Sequence, residues 1–395
     1  MTGSGSGMTG RYLVLLEDDA VAEGTRAMTR LAGLRTVSTA DAAPAATVAE
    51  LLGGADGVVL HELGVAIVTA GADQADGLTR AVAERGAIAG VEPERTVYAL
   101  APTAPAAQRE SVDESTFTWG LQAVGAPDST ATGAGVRLAV LDTGVDVEHP
   151  DLAGRNLVTS SFIQGESVQD GHGHGTHTIG TACGPRTPDT GPGYGVAYES
   201  DIYAGKVLSD EGSGGDGGIL AGISWAIANG CRVVSMSLGA DIEPGTPHSR
   251  VYERIARRAM GRGTLIIAAA GNASNRPGEV APVGHPANCP SIMAVGAIDV
   301  AKQVAYFSSG SVDPGGQVDV AGPGVDVYSS WPMPERDNTI SGTSMACPHA
   351  AGVTALIAHR YPQADPWELW ARLGQTARRL DVPSVDVGAG LVQAP

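Results

Sequence analysis

Short apolar runs alternate with helical segments from Trp119 onward, and this alternation limits the fold more than any other feature of the chain. The runs are "VRLAVL", "DIYAGKVL", "RVVSMSL", "TLIIAAA" and "SIMAVGAI", and the segments between them include "GGILAGISWAIANG" and "SRVYERIARRAMGRG". Continuous apolar runs are typical of strands buried on both faces, and intervening helices connect strands that run parallel. We therefore expect residues 119–395 to form an α/β domain with a mostly parallel sheet flanked by helices on both faces.

Residues 11–100 carry a different pattern. The segments "RYLVLLE", "ADGVVLHELGVAIVTA" and "IAGVEPERTVYAL" predict four strands, and "VAEGTRAMTRLAGL" and "ADGLTRAVAERG" predict helices. The order βαββαβ is that of a small α+β, ferredoxin-like domain. Residues 101–118 have the composition of a linker. Residues 1–10 are predicted to be a tag or linker, because "MTG" occurs twice there, the second time at Met8.

Charge and hydropathy exclude several classes of partner. The formal net charge is −18, and Lys206 and Lys302 are the only lysines, so we expect no nucleic acid and no anionic membrane as partner. No apolar run approaches the length of a membrane span. We also expect the protein to be a monomer. The apolar run after Arg11 is too short for a signal-peptide core. A cytoplasmic location is slightly favoured, with secretion after signal removal as the alternative.

The four cysteines are far apart in sequence and form no C-x-x-C pair: Cys183, Cys231, Cys289 and Cys347. Free, buried thiols are favoured over two disulfides, whose pairing sequence alone would not reveal.

Polar side chains follow three of the predicted strands. Asp142 ends "RLAVLD", Ser237 lies in "SMSLG" and Asn272 follows "LIIAAAG". Ligands of parallel sheets bind at the carboxyl ends of the strands, so we expect these residues to approach one another. In "SGTSMACPHAAG", Ser344 opens a helix, where the helix dipole favours developing negative charge. A serine at that position can also be a helix cap only.

The stretch "DGHGHGTHTIG" contains His172, His174 and His177. A nucleophilic serine needs a general base within hydrogen-bond reach, and the base needs an orienting carboxylate. The alternative is a zinc site made by these histidines and Asp170, although the metalloprotease motif H-E-x-x-H is absent.

The motifs "DTG", "HGTH" and "GTSMA", in this order, resemble those of the subtilisin-like serine proteases, the peptidase S8 or subtilase family. The resemblance extends over residues 119–395. It implies a serine endopeptidase that forms an acyl-enzyme, with Ser344 as nucleophile, His174 as general base and Asp142 as its orienting partner. It further implies that Asn272 and the Ser344 N–H stabilise the oxyanion, that His177 is structural and that His172 lies on the cleft rim.

The same resemblance implies an extended polypeptide as substrate. Strand addition is expected at "DEGSGGD" on one side and "SLG" on the other. The expected substrate-binding residues are Gly212, Ser213, Gly214, Ser237, Leu238, Gly239, Ala270 and Gly284. Gly284 would form the base of the first pocket, where no acidic residue stands, so a large apolar residue before the scissile bond is expected. Asp216 stands where members of this family often have an aromatic residue. The pocket for the fourth residue before the scissile bond is therefore expected to be more open or more polar.

No cofactor is expected for the chemistry, but a structural calcium ion is an expectation of the resemblance. Asp151 matches a family ligand position, and Asp189 lies in the loop that would supply further oxygens. Calcium needs six to eight oxygen ligands, and these are the two carboxylates that the sequence offers.

Residues 11–100 resemble the inhibitory propeptide (inhibitor I9 type) of the same family, so the chain is expected to be a self-processing zymogen with its propeptide as intramolecular partner. Cleavage is expected between Leu100 and Ala101. The alternative for this region is an unrelated ferredoxin-like regulatory domain. Alternatives for the whole protein are a dedicated precursor-processing protease or peptide cyclase, and an inactive peptide-binding pseudoprotease.

Overall fold

The computed structural model describes residues 8–41, 48–84, 86–100, 112–312 and 314–395. Ala101, on the far side of the expected cleavage site, lies outside these described residues. None of the helices within them is both long and apolar enough to cross a membrane.

The N-terminal unit is a mostly antiparallel sheet with two of its three helices on one face. Its strands are β1 (Met8–Leu16), β2 (Thr36–Ser38), β3 (Gly57–Leu60), β4 (Val65–Thr69) and β5 (Ile88–Ala99), and its helices are α1 (Val21–Ala32), α2 (Val48–Gly54) and α3 (Ala72–Ala83). The strand order is β5-β1-β4-β3-β2, with β2 parallel to β3 and the other pairs antiparallel. The expected ferredoxin-like order is present, with β2 and α2 added between α1 and β3. Strand β1 begins at Met8, within the segment expected to be a tag or linker.

The C-terminal domain contains the parallel sheet. Its strands are β6 (Arg137–Asp142), β7 (Leu157–Ser161), β8 (Asp201–Lys206), β9 (Ser213–Gly215), β10 (Val233–Met236), β11 (Leu238–Gly239), β12 (Leu265–Ala269), β13 (Met293–Ile298), β14 (Val320–Pro323), β15 (Val327–Ser330) and β16 (Asp337–Ile340). Its helices are α4 (Trp119–Ala123), α5 (His174–Cys183), α6 (Asp216–Ala228), α7 (Arg250–Gly261), α8 (Thr343–Arg360), α9 (Pro366–Thr376) and α10 (Ser384–Val387). Seven strands pair in the order β14-β13-β12-β10-β6-β8-β7, all of them parallel, which confirms the predicted sheet.

Helices pack on both faces of this sheet. Successive residues of β6 point to opposite faces. Leu138 and Val140 pack in the hydrophobic cluster that contains α5 and α8, whereas Ala139 and Leu141 pack in the cluster that contains α6 and α7. Because both faces of the strand are buried, the sequence reads as an uninterrupted apolar run.

The N-terminal unit packs against α6 and α7. On β1, Val14 and Leu16 form a cluster with α1 and α3, whereas Leu13 and Leu15 join the cluster that contains Ile219 of α6. The sheet of the N-terminal unit is therefore covered by α1 and α3 on one face, and by α2 and the C-terminal domain on the other.

The last residues of the expected linker are attached to the C-terminal domain. Phe117 forms a β-bridge with Gly193, Thr118 caps α4, and the Trp119 N–H donates to Glu114 Oε1 at 2.6 Å. The described end of the linker, residues 112–118, is thus ordered by hydrogen bonds. The four cysteines are free and buried, as their spacing predicted.

Candidate active site

Asp142 and His174 form a buried pair at the carboxyl edge of the parallel sheet. Asp142 is the last residue of β6, and His174 is the first residue of α5. The His174 Nδ1 lies 2.7 Å from Asp142 Oδ1, and each side chain is 1% exposed. The second carboxylate oxygen of Asp142 accepts a hydrogen bond from Thr178 Oγ1 at 3.2 Å. These contacts hold the imidazole in one orientation, with Nε2 left to act as acceptor.

Opposing effects set the basicity of His174. Burial lowers the pKa of the imidazole, but the charge of Asp142, the hydrogen bond to it and the charge of Asp170 together raise the pKa above its usual value. The buried Nε2 has no hydrogen-bond partner among the described residues. A free Nε2 with a raised pKa is what a general base needs to accept a proton from a nucleophile.

Asp170 orders the start of α5. Its Oδ1 accepts from the Gly173 N–H at 2.8 Å, and its Oδ2 accepts from the N–H and hydroxyl of Thr176 at 2.8 and 2.7 Å. Gly173 has a φ of 98°, and a Cβ there would overlap the Trp331 ring, so glycine is required. Both oxygens of the Asp170 carboxylate therefore accept hydrogen bonds from the first turn of α5.

The three histidines do not converge on one point. His177 is fully buried on α5, with Nε2 3.0 Å from the carbonyl oxygen of Val327. His172 is half-buried, with its ring edge-on to His174 and its Nε2 next to the position that a Cβ on Gly212 would occupy. Within the described residues, no group of three or more His, Cys, Asp or Glu side chains could hold a metal ion. The arrangement does not fit the zinc alternative.

Ser344 is the second residue of α8 and is fully buried. Its Oγ lies 2.6 Å from the carbonyl oxygen of Leu100 and 3.1 Å from that of Ser237, and the shorter distance makes the Leu100 oxygen the main acceptor of its single hydroxyl proton. The Ser237 hydroxyl in turn donates to the Ser344 carbonyl oxygen at 2.7 Å. The hydroxyl of Ser344 is therefore directed at the end of β5 rather than at His174.

Asn272 provides a side-chain donor to the same carbonyl group. Its Nδ2 donates to the oxygen of Leu100 at 3.0 Å. Its Oδ1 accepts from the N–H and the hydroxyl of Thr343 at 2.9 and 2.8 Å, which fixes which end of the amide faces Leu100. A preorganised donor at this point stabilises the negative charge that develops on a carbonyl oxygen under attack.

Strand β5 ends between two strands of the C-terminal domain. On one side Val97 and Tyr98 pair antiparallel with Gly214 and Ser213 of β9, and the Ala99 N–H donates to the Gly212 carbonyl oxygen at 2.9 Å. On the other side Ala99 and Tyr98 pair antiparallel with Leu238 and Gly239 of β11. The structure therefore brings the residues expected to bind an extended substrate onto the two edges of one bound strand.

Leu100 lies beside Gly239, one of the residues expected to bind substrate. A Cβ added to Gly239 would lie in ordinary van der Waals contact with Leu100 Cδ1, at 3.4 Å, but only 2.7 Å from the His285 carbonyl oxygen, so the backbone at His285 is what requires glycine here. The Gly284 N–H donates to the Ala270 carbonyl oxygen at 2.9 Å, and a Cβ on Gly284 would come within 2.9 Å of the Ala240 carbonyl oxygen. Substitution of Gly284 would therefore push the pocket wall out of place.

The residues expected to hold calcium do not fit that ion. Asp151 Oδ1 accepts from Arg336 Nη2 at 2.7 Å, and its Oδ2 accepts from the Tyr194 hydroxyl at 2.7 Å. Asp189 is exposed. Both oxygens of Asp151 are already bonded, and a guanidinium supplies the positive charge beside them.

Sequence reasoning missed two residues that position the site. Thr343, which orients Asn272, stands directly before the predicted nucleophile in "GTSMA". Thr143 links α5 to the strand end, because its hydroxyl donates to Asp170 at 2.9 Å and accepts from the Gly175 N–H at 2.8 Å. Each is the threonine beside a catalytic residue, which is the signal that could have identified it.

A buried nucleophile, an oriented imidazole and donors around one backbone carbonyl oxygen, at the edge of an extended strand, are the arrangement of a serine endopeptidase. The chain belongs to the subtilase family, whose model matches residues 133–391. Subtilisin DY of Bacillus licheniformis is 40% identical over 261 residues, which are 66% of this chain and 89% of that protein. The thermostable alkaline protease of Halalkalibacterium halodurans is 40% identical over 283 residues, 71% of this chain and 73% of that protein. A subtilisin of Bacillus pumilus is 40% identical over 263 residues, 66% of this chain and 90% of that protein.

Proposed function

We propose that this serine endopeptidase is made as a zymogen, that its N-terminal unit is an intramolecular inhibitor, and that Ser344 cleaves the bond between Leu100 and Ala101. The observation that carries the proposal is the environment of one atom. The carbonyl oxygen of Leu100 accepts from Asn272 Nδ2 at 3.0 Å and from Ser344 Oγ at 2.6 Å. The Asn272 donor lies where negative charge would develop on that oxygen, and the nucleophile lies beside the same carbonyl group, as an acyl group that is to be attacked requires.

Two acidic residues of β5 support the inhibitor role. Glu92 accepts from Ser249 Oγ at 2.6 Å and from the Arg250 N–H at 2.8 Å, at the start of α7. Glu94 accepts from the Gly217 N–H at 2.8 Å, at the start of α6. Negative charge is stabilised at helix N-termini. These contacts would hold the N-terminal unit on the enzyme after the bond is cut, with its strand still in the cleft.

The proposed preference is a large apolar residue immediately before the scissile bond. Leu100 lies at this position, beside Gly239, and the segment "VGHPA" that contains Gly284 carries no carboxylate that would select a basic residue. The partners are thus a polypeptide substrate and the enzyme's own propeptide, and one chain contains every residue of the mechanism, so we propose a monomer.

In the proposed mechanism His174 Nε2 accepts the proton of the Ser344 hydroxyl as Oγ attacks the carbonyl carbon. Asp142 stabilises the imidazolium that forms, and Asn272 together with the Ser344 N–H binds the oxyanion. The imidazolium then gives its proton to the leaving amine, and water hydrolyses the acyl-enzyme by the same steps. The Ser344 side chain must first turn from its present hydrogen bonds towards Nε2.

Intact-mass measurement and N-terminal sequencing of the wild type and of Ser344→Ala test this function. We expect the wild type to yield a mature chain that begins at Ala101, and the variant to remain whole. A wild-type chain that stays uncut, like Ser344→Ala, would overturn self-processing. A start beyond Arg109 would move the cleavage site, and products lighter than the linear peptide by one water would indicate cyclisation.

A further inference from the structure

Asp216 is a fully buried carboxylate in the cleft whose hydrogen bonds go to groups outside the triad. It is the first residue of α6 and is 0% exposed. Its Oδ1 lies 2.9 Å from His285 Nε2, and the His285 ring packs edge-on against Tyr252 with centroids 4.7 Å apart. His285 therefore fixes the orientation of the Asp216 carboxylate, and Tyr252 fixes the orientation of the His285 ring.

The second oxygen of Asp216 is used by β5. The Arg95 N–H donates to Asp216 Oδ2 at 3.0 Å, and the Arg95 guanidinium lies 3.9 Å from the same oxygen. Counted back from Leu100, Arg95 is the sixth residue before the scissile bond. Val97, the fourth residue, is instead fully buried in an apolar cluster with Leu238. The fourth pocket is thus apolar. Asp216, which was expected to make that pocket more polar, instead accepts a hydrogen bond from Arg95, two residues before Val97.

An ionised carboxylate without water needs partners. Burial raises the pKa of Asp216, but the charge and hydrogen bond of His285 and the contacts with Arg95 hold it below its usual range. Departure of β5 removes the partners of Oδ2 and leaves those of Oδ1. In the mature cleft, Asp216 Oδ2 would then be a charged acceptor without its hydrogen-bond donor, because the Arg95 N–H has left. His285 would still hold the carboxylate in its present orientation through Oδ1.

We propose that Asp216, held by His285, forms a sixth substrate subsite that binds a main-chain N–H and prefers arginine or lysine there. The inference rests on the proposed function, because it takes β5 as the image of a bound substrate. Glu92 also lies near the Arg95 guanidinium, at 3.5 Å, but it belongs to the N-terminal unit and leaves with it. Asp216 is the carboxylate of this pair that the enzyme keeps.

A series of fluorogenic peptides tests the subsite on processed wild-type enzyme. All end in Thr-Val-Tyr-Ala-Leu before the reporter. One stops there, and the others add acetylated arginine, citrulline or N-methyl-arginine. Citrulline keeps the shape of arginine without its charge, and the N-methyl group removes the main-chain donor. We expect arginine to raise kcat/KM about tenfold over the five-residue peptide, citrulline to raise it less, and N-methyl-arginine to lose most of the gain.

Two variants assign the effect to Asp216. In Asp216→Asn the ratio of kcat/KM between the arginine and citrulline peptides should fall to one. Glu368→Gln on α9 removes one negative charge outside the cleft and should keep the wild-type ratio. Equal kcat/KM for all four peptides on the wild type, or an arginine preference that survives in Asp216→Asn, overturns the subsite. No hydrolysis of the five-residue peptide overturns the proposed function itself, so the two failures are distinguishable.

Discussion

Thr343 donates two hydrogen bonds to one oxygen of Asn272, from its N–H at 2.9 Å and from its hydroxyl at 2.8 Å. The hydroxyl also accepts from the Gly271 N–H at 3.2 Å. The threonine therefore sets the orientation of the amide that faces the scissile carbonyl group, although it does not touch that group itself.

Thr343→Val should lower kcat about tenfold and leave KM nearly unchanged, because a loosely held amide stabilises the transition state less than a fixed one. Steady-state kinetics on a short peptide measures this split. Thr343→Ser keeps the hydroxyl and should restore kcat. If the serine variant is as slow as the valine variant, the positioning role is wrong.

The acid limb of the pH–rate profile should reflect His174. Its pKa is raised above the usual value, so the imidazole becomes a neutral base, and kcat/KM rises, only above that usual range. Asp142→Asn removes the stabilising charge, and burial then dominates. We expect the limb to move to lower pH while kcat falls by about 10⁴. A limb at the same pH in both enzymes would show that another group titrates.

Buried neutral histidines should make the protein less stable in acid. Burial lowers the pKa of His177 to about 3 and that of His349 to about 4. Between these values and the usual pKa near 6.5, the unfolded chain binds more protons than the folded chain, so the free energy of unfolding falls as pH falls below about 6.5.

Thermal unfolding of Ser344→Ala between pH 8 and 4.5 measures this effect without self-digestion. Adding His349→Gln should flatten the dependence by up to about 1.4 kcal/mol per pH unit. Adding His61→Gln instead, at an exposed position, should leave it unchanged. An identical slope in all three proteins would contradict the assignment.

Removal of calcium by a chelator should not destabilise the region around Asp151, because the Arg336 guanidinium forms an ion pair with that carboxylate. We expect the unfolding midpoint of Ser344→Ala to be the same with EDTA and with added calcium. Arg336→Met should lower stability by about 1–3 kcal/mol, since it leaves a buried carboxylate oxygen without its donor. Arg35→Met, which removes an exposed ion pair with Asp56, serves as control and should cost less than about 1 kcal/mol. A midpoint that falls with EDTA would contradict the prediction.

The four thiols should be inert in the folded protein. Burial raises the pKa of Cys183 and Cys231 to about 12 and that of Cys347 to about 11, so the reactive thiolate is scarce. A chromogenic disulfide reagent should label no cysteine in native Ser344→Ala and four in denaturant. Rapid native labelling of any thiol would show that its surroundings open.

The sequence predicts those parts of the site that local motifs encode. Asp142 ends an apolar strand and Ser344 begins a helix, so each is visible from its neighbours. The pair Asp216–His285 is not visible in this way, because the two residues belong to different elements and meet only through the tertiary fold. The same holds for Asp151 and Arg336, which no spacing rule connects.

The N-terminal unit shows a second limit. Strand β2 is the three-residue segment Thr36–Ser38, which lacks an apolar alternation and pairs in parallel with β3. Its position depends on tertiary pairing rather than on its own propensity. The pattern of β5 predicts a strand, but the pairing of its last residues with β9 and β11 is an expectation of the resemblance to the family propeptide and does not follow from that pattern.

The placement of β5 between β9 and β11 has a consequence for how the mature enzyme meets whole proteins. A segment from Arg95 to Leu100 fits only as a single extended ribbon with both of its edges free. In a native globular protein, most such segments are already hydrogen-bonded to their own neighbours. A folded target must therefore release the segment by local unfolding before it can be cut. The lifetime of the target in the presence of this enzyme would then measure the target's own equilibrium between closed and locally open states.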